Sequence, residues 1–237
     1  MRTQTLEYRE DGKVLRGFLA WNDSNSEPRP GVLVFHENMG LTDHEKERAT
    51  RLAESGFVAL AGDMFGERTI PANDAERRAA FEEFRAKKLL PRAVAGLQAL
   101  SAQPQVDKRR VAAIGFCMGG MVALELARSG ANLEGVVSFH GSLQAAEPAM
   151  AGRMKAKVLV CHGALDPFIT LENVAKFTEE MQAAGVDFQV IIYGGAKHGF
   201  TNPAADRFGR PGIAYHAPSD ARSWAAMRQF LAEIFGS

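Results

Sequence analysis

The fold of this chain is decided by the stretch Val111-Ala112-Ala113-Ile114-Gly115-Phe116-Cys117-Met118-Gly119-Gly120. Its first six residues form a continuous apolar run, which is typical of a strand buried on both faces. Residues 118–129 follow a helical pattern rich in Ala and Leu. Gly115 and Gly119 stand where a side chain would collide in a tight strand-to-helix turn. The stretch therefore predicts a strand, a sharp turn at Cys117 and a helix.

Similar apolar runs recur along the chain, separated by helical patterns. The runs occupy residues 32–35, 57–61, 136–139, 158–161 and 188–193. The helical patterns occupy residues 42–55, 74–88, 91–102, 171–184 and 220–235. The first of these helices opens with a capping box made of Thr42 and Glu45. Strands that alternate with helices predict βαβ units and a parallel sheet.

The first part of the chain follows a different pattern. Two short segments of alternating polarity lie within residues 7–14, and Asp11-Gly12 between them is typical of a hairpin turn. No linker or internal repeat divides the rest of the chain. We therefore predict one α/β domain over residues 1–237, with a doubly wound, mostly parallel sheet and an antiparallel N-terminal hairpin.

Composition and charge exclude several classes of protein. The 237 residues include 28 Lys and Arg and 28 Asp and Glu, and this balance disfavours nucleic acid as the main partner. Hydrophobic residues make up 46% and charged residues 24%, which excludes a disordered chain. No apolar run approaches the roughly 18 residues that a membrane-spanning helix needs, and the first ten residues lack the apolar run of a signal peptide. Because the chain has two cysteines, Cys117 and Cys161, a disulfide framework is not expected, and we predict a cytoplasmic protein.

Ligands of open α/β sheets bind outside the carboxyl ends of the strands. Six residues with polar or reactive side chains follow the predicted strands: Glu37, Asp63, Cys117, His140, Asp166 and His198. Cys117 replaces the serine of the nucleophile-elbow pattern G-x-S-x-G, and the N-terminus of the next helix favours a thiolate there. A buried structural cysteine in a glycine-rich turn is the alternative.

Asp166 and His198 follow Cys117 in the order nucleophile, acid, histidine, which is the order of the triad in α/β-hydrolases. Asp166 lies in the loop after residues 158–161, and His198 lies in a glycine-flanked loop after residues 188–193. Taken singly, such an aspartate is usually a solvated loop residue, and such a histidine is usually structural. Their order favours a catalytic site, with His140 as the alternative histidine and a candidate substrate-binding residue.

Residues around Cys117 complete the candidate site. The backbone N–H groups of Met118 and Asn38 are candidates for an oxyanion hole, because hydrolases of this fold supply one donor after the nucleophile and one after the third strand. Glu37 follows that same strand, and its negative charge would disfavour a thiolate nearby; a helix cap or a surface position is the alternative. Phe168, in the loop of the candidate acid, is a candidate substrate-binding residue.

With cysteine in the elbow, Glu37 after the third strand and the loops of Asp166 and His198, the chain resembles the dienelactone hydrolase family of the α/β-hydrolase superfamily over nearly its whole length. The resemblance implies the α/β-hydrolase fold. It also implies a triad of Cys117, His198 and Asp166 that opens small esters or lactones through an acyl-thioester intermediate, with Glu37 acting beside the thiol.

One departure from the family leaves the substrate open. Members that act on dienelactone hold the substrate carboxylate with two arginines, one of them shortly after the catalytic histidine. At the position four after the histidine this chain has Asn202, so that Arg207 or Arg210 would have to take the arginine's place. Arg77 or Arg78 would have to supply the other contact, although an arginine pair on a helix is usually solvated.

Several alternatives stay open at the level of sequence. An acyl hydrolase or thioesterase could use the same triad, because fold and triad do not fix the substrate. A non-catalytic binding protein of the same fold is less favoured, since neither acid nor base is missing. The segment 199–220 is a lid, a dimer contact or a surface loop. We expect a small ester or lactone as partner, a monomer or homodimer, no cofactor, and no metal, since no close ligand pair marks a metal site.

Overall fold

A computed structural model describes residues 1–23, 27–67 and 74–236 of the chain. Eight strands lie within these ranges: β1 (Arg2–Glu10), β2 (Lys13–Trp21), β3 (Arg29–Phe35), β4 (Val58–Gly62), β5 (Val106–Phe116), β6 (Gly135–Phe139), β7 (Lys157–Gly163) and β8 (Phe188–Tyr193). Six α-helices accompany them in the same ranges: α1 (Asp43–Glu54), α2 (Asp74–Lys87), α3 (Leu89–Ser101), α4 (Met118–Arg128), α5 (Leu171–Ala184) and α6 (Ala217–Phe235).

The strands form one sheet in the order β1-β2-β4-β3-β5-β6-β7-β8. The strands from β3 to β8 pair parallel, whereas β2 pairs antiparallel with both β1 and β4. The predicted mostly parallel sheet with an antiparallel N-terminal hairpin is therefore confirmed. The parallel part places the carboxyl ends of β3, β5, β6, β7 and β8 along one edge, where ligands of such sheets bind.

The N-terminal hairpin turns at Asp11 and Gly12, as the sequence predicts. Both residues have positive φ, 47° and 75°, which is the backbone of a two-residue type I′ turn. The strands extend well beyond the predicted residues 7–14. They are long because β2 pairs on its far side with β4, where Leu19 lies opposite Leu60.

Continuous apolar runs form the central strands because both faces of the sheet are covered. In β3, Leu33 and Phe35 pack on one face, and Val32 and Val34 pack on the other. Residues of α3, α4 and α5 cover the first face, and residues of α1 and α6 cover the second. This layering holds the strand ends, and the loops that follow them, in fixed relative positions.

The helix bounds follow the predicted patterns closely. The capping box of Thr42 and Glu45 is present at the start of α1, and the chain leaves that helix at Gly56 with a positive φ of 98°. α6 begins three residues earlier than predicted, because Pro218 fits in the first turn of a helix, where no intrahelical N–H is needed.

Candidate active site

Cys117 occupies the turn between β5 and α4 in a strained backbone conformation, with φ 53° and ψ −114°. The turn is so tight that an added Cβ at Gly115 would lie 2.0 Å from the carbonyl oxygen of Gly119. A Cβ at Gly119 would in turn lie 2.3 Å from the carbonyl oxygen of Phe35. The glycines predicted to permit the turn are therefore required by it, and strain of this kind is concentrated at functional sites.

Cys117, His198 and Asp166 form one hydrogen-bonded line. The Nε2 atom of His198 lies 3.1 Å from the Sγ atom of Cys117, and its Nδ1 atom lies 2.7 Å from Oδ2 of Asp166. The other carboxylate oxygen, Oδ1, accepts the backbone N–H groups of Phe168 and Ile169 at 2.8 and 3.0 Å. These bonds fix the aspartate, which in turn fixes the orientation of the imidazole.

The surroundings of His198 favour its protonated form. Burial acts to lower the pKa of the imidazole, but the hydrogen bonds with Asp166 and Cys117 outweigh it and raise the pKa to about 10. The ring is thus suited to hold a proton while the neighbouring sulfur carries negative charge. This is the electrostatic arrangement that a cysteine nucleophile needs.

Glu37 lies beside this line and is buried, not at the surface. Its Oε2 atom accepts a hydrogen bond of 2.6 Å from Nδ2 of Asn202. Burial raises the pKa of the carboxyl to about 7; the bond from Asn202 opposes that rise and the charge of Glu45 adds to it. The side chain can therefore change its charge near neutral pH.

Both predicted oxyanion donors lie at the site. Met118 is the first residue of α4, where the backbone N–H has no acceptor within the helix. Asn38 follows β3 and lines the same cavity as Cys117. Their use in binding an oxyanion stays a prediction.

His140 lies behind Cys117 and is fully buried, so its position differs from the predicted contact with substrate. Its Nδ1 atom accepts the backbone N–H of Cys117 at 3.2 Å, and its Nε2 atom lies 2.8 Å from Oγ1 of Thr201. Because Nδ1 faces a donor, the ring proton is on Nε2 and is donated to Thr201. Burial, and next the charge of His198, hold the pKa of His140 well below its ordinary value. His140 therefore stabilises the backbone at Cys117 as a neutral imidazole.

A cavity of about 370 Å³ opens above the thiol. Phe168 lies in its wall, and its role in substrate binding stays a prediction. The full wall consists of Glu37, Asn38, Met39, Cys117, Phe168, His198, Gly199, Phe208, Arg210 and Ile213. Apart from Glu37, Asn38, His198 and Arg210, its large side chains are apolar. The cavity therefore suits a small, largely apolar molecule with a reactive group placed at the sulfur.

Part of the segment 199–220 forms one wall of the cavity. The N–H of His198 donates to the carbonyl of Gly212, and the N–H of Ala214 donates to the carbonyl of His198, both at 3.1 Å. At Gly212 the backbone passes so close to Pro167 that an added Cβ would lie 2.4 Å from its ring. These contacts place Arg210, and not Arg207, among the lining residues. The side chains of Arg77 and Arg78 lie outside the described residues.

The described residues also bear on metals and membranes. Within residues 1–23, 27–67 and 74–236, no group of three His, Cys, Asp or Glu side chains is placed to hold a metal ion. In the same ranges, no helix is both long enough and apolar enough to cross a bilayer.

The order of the strands and the sharp strand-to-helix turn at Cys117 are those of the α/β-hydrolase fold. The model of the dienelactone hydrolase family matches residues 15–235. The chain belongs to the dienelactone hydrolase family. Members of this family are hydrolases, and their fold is the α/β-hydrolase fold found here.

Relatives within the dienelactone hydrolase family include proteins with described activities. The chain is 30% identical over 199 residues to a protein of Bradyrhizobium sp described as a probable 2-oxo-3-(5-oxofuran-2-ylidene)propanoate lactonase, and the match covers 79% of each protein. A solved structure described as m3DLH is 42% identical with a TM-score of 0.92. A dienelactone hydrolase-like promiscuous phosphotriesterase from metagenomic libraries is 44% identical with a TM-score of 0.91. Each structural match covers 98% of both chains.

Three contacts of this dienelactone hydrolase family member could not be predicted from the sequence. Asn202 bonds to Glu37 although 165 residues separate them. Glu45, known from sequence as a cap, also accepts the backbone N–H of Glu37 at 3.1 Å. Arg48 donates from Nη2 to the carbonyl of Thr201 at 2.6 Å. Of these contacts, the sequence gives a local signal only for Glu45. The capping box indicates its bond with Thr42 but not its bond with Glu37.

Proposed function

We propose that this protein is a thiol-dependent hydrolase of small esters or lactones, with Cys117 as the nucleophile. The observation that carries the proposal is the unbroken line from Asp166 through His198 to the sulfur, at 2.7 and 3.1 Å, which ends in an apolar cavity. In this proposal the chain works as one cytoplasmic domain, alone or as a homodimer, without a cofactor.

The reaction has two steps with balanced proton transfers. The sulfur of Cys117 attacks the acyl carbon, and the N–H groups of Met118 and Asn38 stabilise the oxyanion. His198 gives its proton to the leaving alkoxide as the C–O bond breaks, which leaves an acyl-thioester. A water molecule then loses a proton to His198 and attacks the thioester, so that the acid forms and the sulfur leaves as a thiolate. The thiol proton, held meanwhile by Glu37, then returns to the sulfur.

Glu37 controls the thiol in this proposal. Its carboxylate disfavours a second negative charge on the neighbouring sulfur while the cavity is empty. Substrate that enters the cavity displaces the carboxylate, which can accept the thiol proton, and the thiolate forms when it is needed. The position of Glu37 and Cys117 in one cavity wall supports this role.

The cavity wall also bears on the substrate class. The apolar side chains of Met39, Phe168, Phe208 and Ile213 suit an aryl or alkyl group of an ester. Asn202 stands at the position where an arginine would hold a substrate carboxylate, and its amide donates to Glu37. A lactonase and a phosphotriesterase are among the relatives. An aryl phosphotriester is therefore a second candidate substrate, attacked by the same sulfur at phosphorus.

The test compares Cys117→Ala and Cys117→Ser with the wild type on aryl esters, lactones, thioesters and an aryl phosphotriester. Cys117→Ala is expected to lower kcat/KM by at least about 10³-fold, because it removes the acyl acceptor. Cys117→Ser should keep weak activity at best. Cys161→Ala is the matched control: Cys161 is fully buried, so this variant should stay active and sensitive to iodoacetamide.

Other outcomes would change the assignment. Near wild-type turnover by Cys117→Ala would show that the sulfur is not the nucleophile. A strong preference for thioesters would favour the acyl hydrolase alternative. Binding of esters without turnover by the wild type would indicate a non-catalytic binding protein.

A further inference from the structure

Glu45 is an acidic side chain with no exposed surface, and a buried carboxylate is costly unless hydrogen bonds satisfy it. It occupies the third position of α1, where a glutamate commonly reaches back to the residue that caps the helix. Its Oε2 atom accepts the N–H of Thr42 at 2.9 Å and the hydroxyl of Thr42 at 2.7 Å. These two bonds are ordinary helix capping.

The second oxygen of Glu45 makes a contact that capping does not require. Oε1 accepts the backbone N–H of Glu37 at 3.1 Å. One carboxylate therefore bonds to residue 37 and to residue 42, the two ends of the loop that joins β3 to α1. Between these ends the chain turns at Gly40, whose φ is 98° and whose N–H donates to the carbonyl of Glu37 at 3.3 Å.

This loop carries two groups of the proposed mechanism. The backbone N–H of Asn38 is a proposed oxyanion donor, and the side chain of Glu37 lies in the cavity wall with Cys117. The loop is otherwise exposed at its tip, where Met39 is 63% accessible to solvent. A displacement of about 1 Å in such a donor can cost about 10²-fold in rate.

We infer that Glu45 is a positioning residue of the active site: its carboxylate fixes the loop of residues 37–42 and so places the N–H of Asn38 and the carboxyl of Glu37 at Cys117. The inference deepens the proposed function and rests on it. It is independent of which ester is the substrate, because the contact is with the backbone.

Glu45 also acts on Glu37 through its charge. Glu37 is faced by Asn202 and His198 from the loop after β8, by Glu45 and Arg48 from α1, and by Cys117 across the cavity. Of these, Glu45 brings a second negative charge and raises the pKa of Glu37 beyond the effect of burial. Loss of the Glu45 charge should therefore leave Glu37 ionised at lower pH.

The test uses Glu45→Gln, with Glu47→Gln as the matched control on the exposed face of the same helix. The glutamine keeps the length of the side chain, but one oxygen becomes an NH₂ group that cannot accept a backbone N–H. Glu45→Gln is expected to lower kcat at least tenfold with KM changed by less than about threefold, whereas Glu47→Gln should match the wild type.

A second readout does not depend on turnover. The pH dependence of Cys117 alkylation by iodoacetamide reports the charge of Glu37, and Glu45→Gln should move its inflection to lower pH by roughly half a unit or more. In a Glu37→Gln background the same change at Glu45 should produce no shift. Because alkylation needs no substrate, the inference can be tested even if every ester in the panel proves inactive.

Thr42→Ala separates positioning from helix capping. It removes the threonine hydroxyl but leaves the bonds of Glu45 with the N–H groups of residues 37 and 42. This variant should lose thermal stability and keep the wild-type alkylation profile. The inference is overturned if Glu45→Gln retains wild-type kcat and alkylation profile, or if Thr42→Ala reproduces both of its effects.

Discussion

At Glu37, the charge of one carboxyl bears directly on the ionisation of the Cys117 thiol. Its carboxyl is buried, bonded to Asn202 and able to ionise near pH 7. Below that pH the group is mainly neutral and has little effect on the sulfur; above it, the negative charge opposes a thiolate. The restraint on Cys117 should therefore grow as the pH rises through 7.

Glu37→Gln keeps the shape of the side chain and removes the charge. We expect Cys117 in this variant to react with iodoacetamide about as fast as in the wild type at pH 6, and about three- to tenfold faster at pH 8. The kcat for esters should fall, because the variant cannot accept the thiol proton. Equal alkylation rates of variant and wild type at pH 8 would show that Glu37 does not restrain the thiol.

At the scale of elements, α1 and α6 are joined beneath the site by a buried ion pair. Nη2 of Arg48 donates to both carboxylate oxygens of Asp220, at 2.9 and 3.0 Å, and also to the carbonyl of Thr201. The side chains are 3% and 11% exposed. The pair thus links two helices to the loop that follows His198.

Asp220→Ala should lower the free energy of unfolding by about 3–5 kcal/mol, because it leaves the guanidinium buried without its counter-ion. Urea denaturation measures this change. Asp187→Ala is the control: its pair with Lys157 is 65% and 41% exposed, and its loss should cost under about 1 kcal/mol. Similar losses in the two variants would contradict a special role for the buried pair.

For the whole molecule, burial of Glu37 links stability to pH. The pKa of this carboxyl rises from 4.5 to about 7 on folding. Folding therefore favours the protonated form: the stabilisation is complete below about pH 4.5 and is lost as the pH rises through about 7. The raised pKa of His198 acts in the same direction at higher pH, since its contribution is lost as the pH approaches about 10.

This linkage predicts a pH-dependent difference between the wild type and Glu37→Gln. From pH 5 to pH 8, the free energy of unfolding of the wild type should fall relative to the variant by on the order of 2–3 kcal/mol. Urea denaturation of both proteins at each pH gives the difference. A constant difference across this range would mean that Glu37 does not change its protonation on folding.

The sequence by itself determined the parts of this protein that rest on local pattern. Continuous apolar runs predict the buried strands, Asp11-Gly12 predicts the hairpin turn, and the spacing of Gly115 and Gly119 predicts the elbow at Cys117. Chain order then indicates Asp166 and His198, because the parallel strands of such a sheet bring their carboxyl ends to one edge. These features depend on neighbouring residues and on the strand period, both of which can be read directly from the chain.

Only the tertiary structure decided which side chains meet at that edge. It places His140 behind the elbow and not in the cavity, selects Arg210 over Arg207 for the cavity wall, and joins Glu37 to Asn202 across 165 residues. A loop residue can point in several directions with similar local energy, so its direction is fixed by packing against segments distant in the sequence. The position of the Glu45 carboxylate depends on both local sequence and tertiary structure. A local capping motif places it at the start of α1, and the fold brings the backbone N–H of Glu37 to its Oε1 atom.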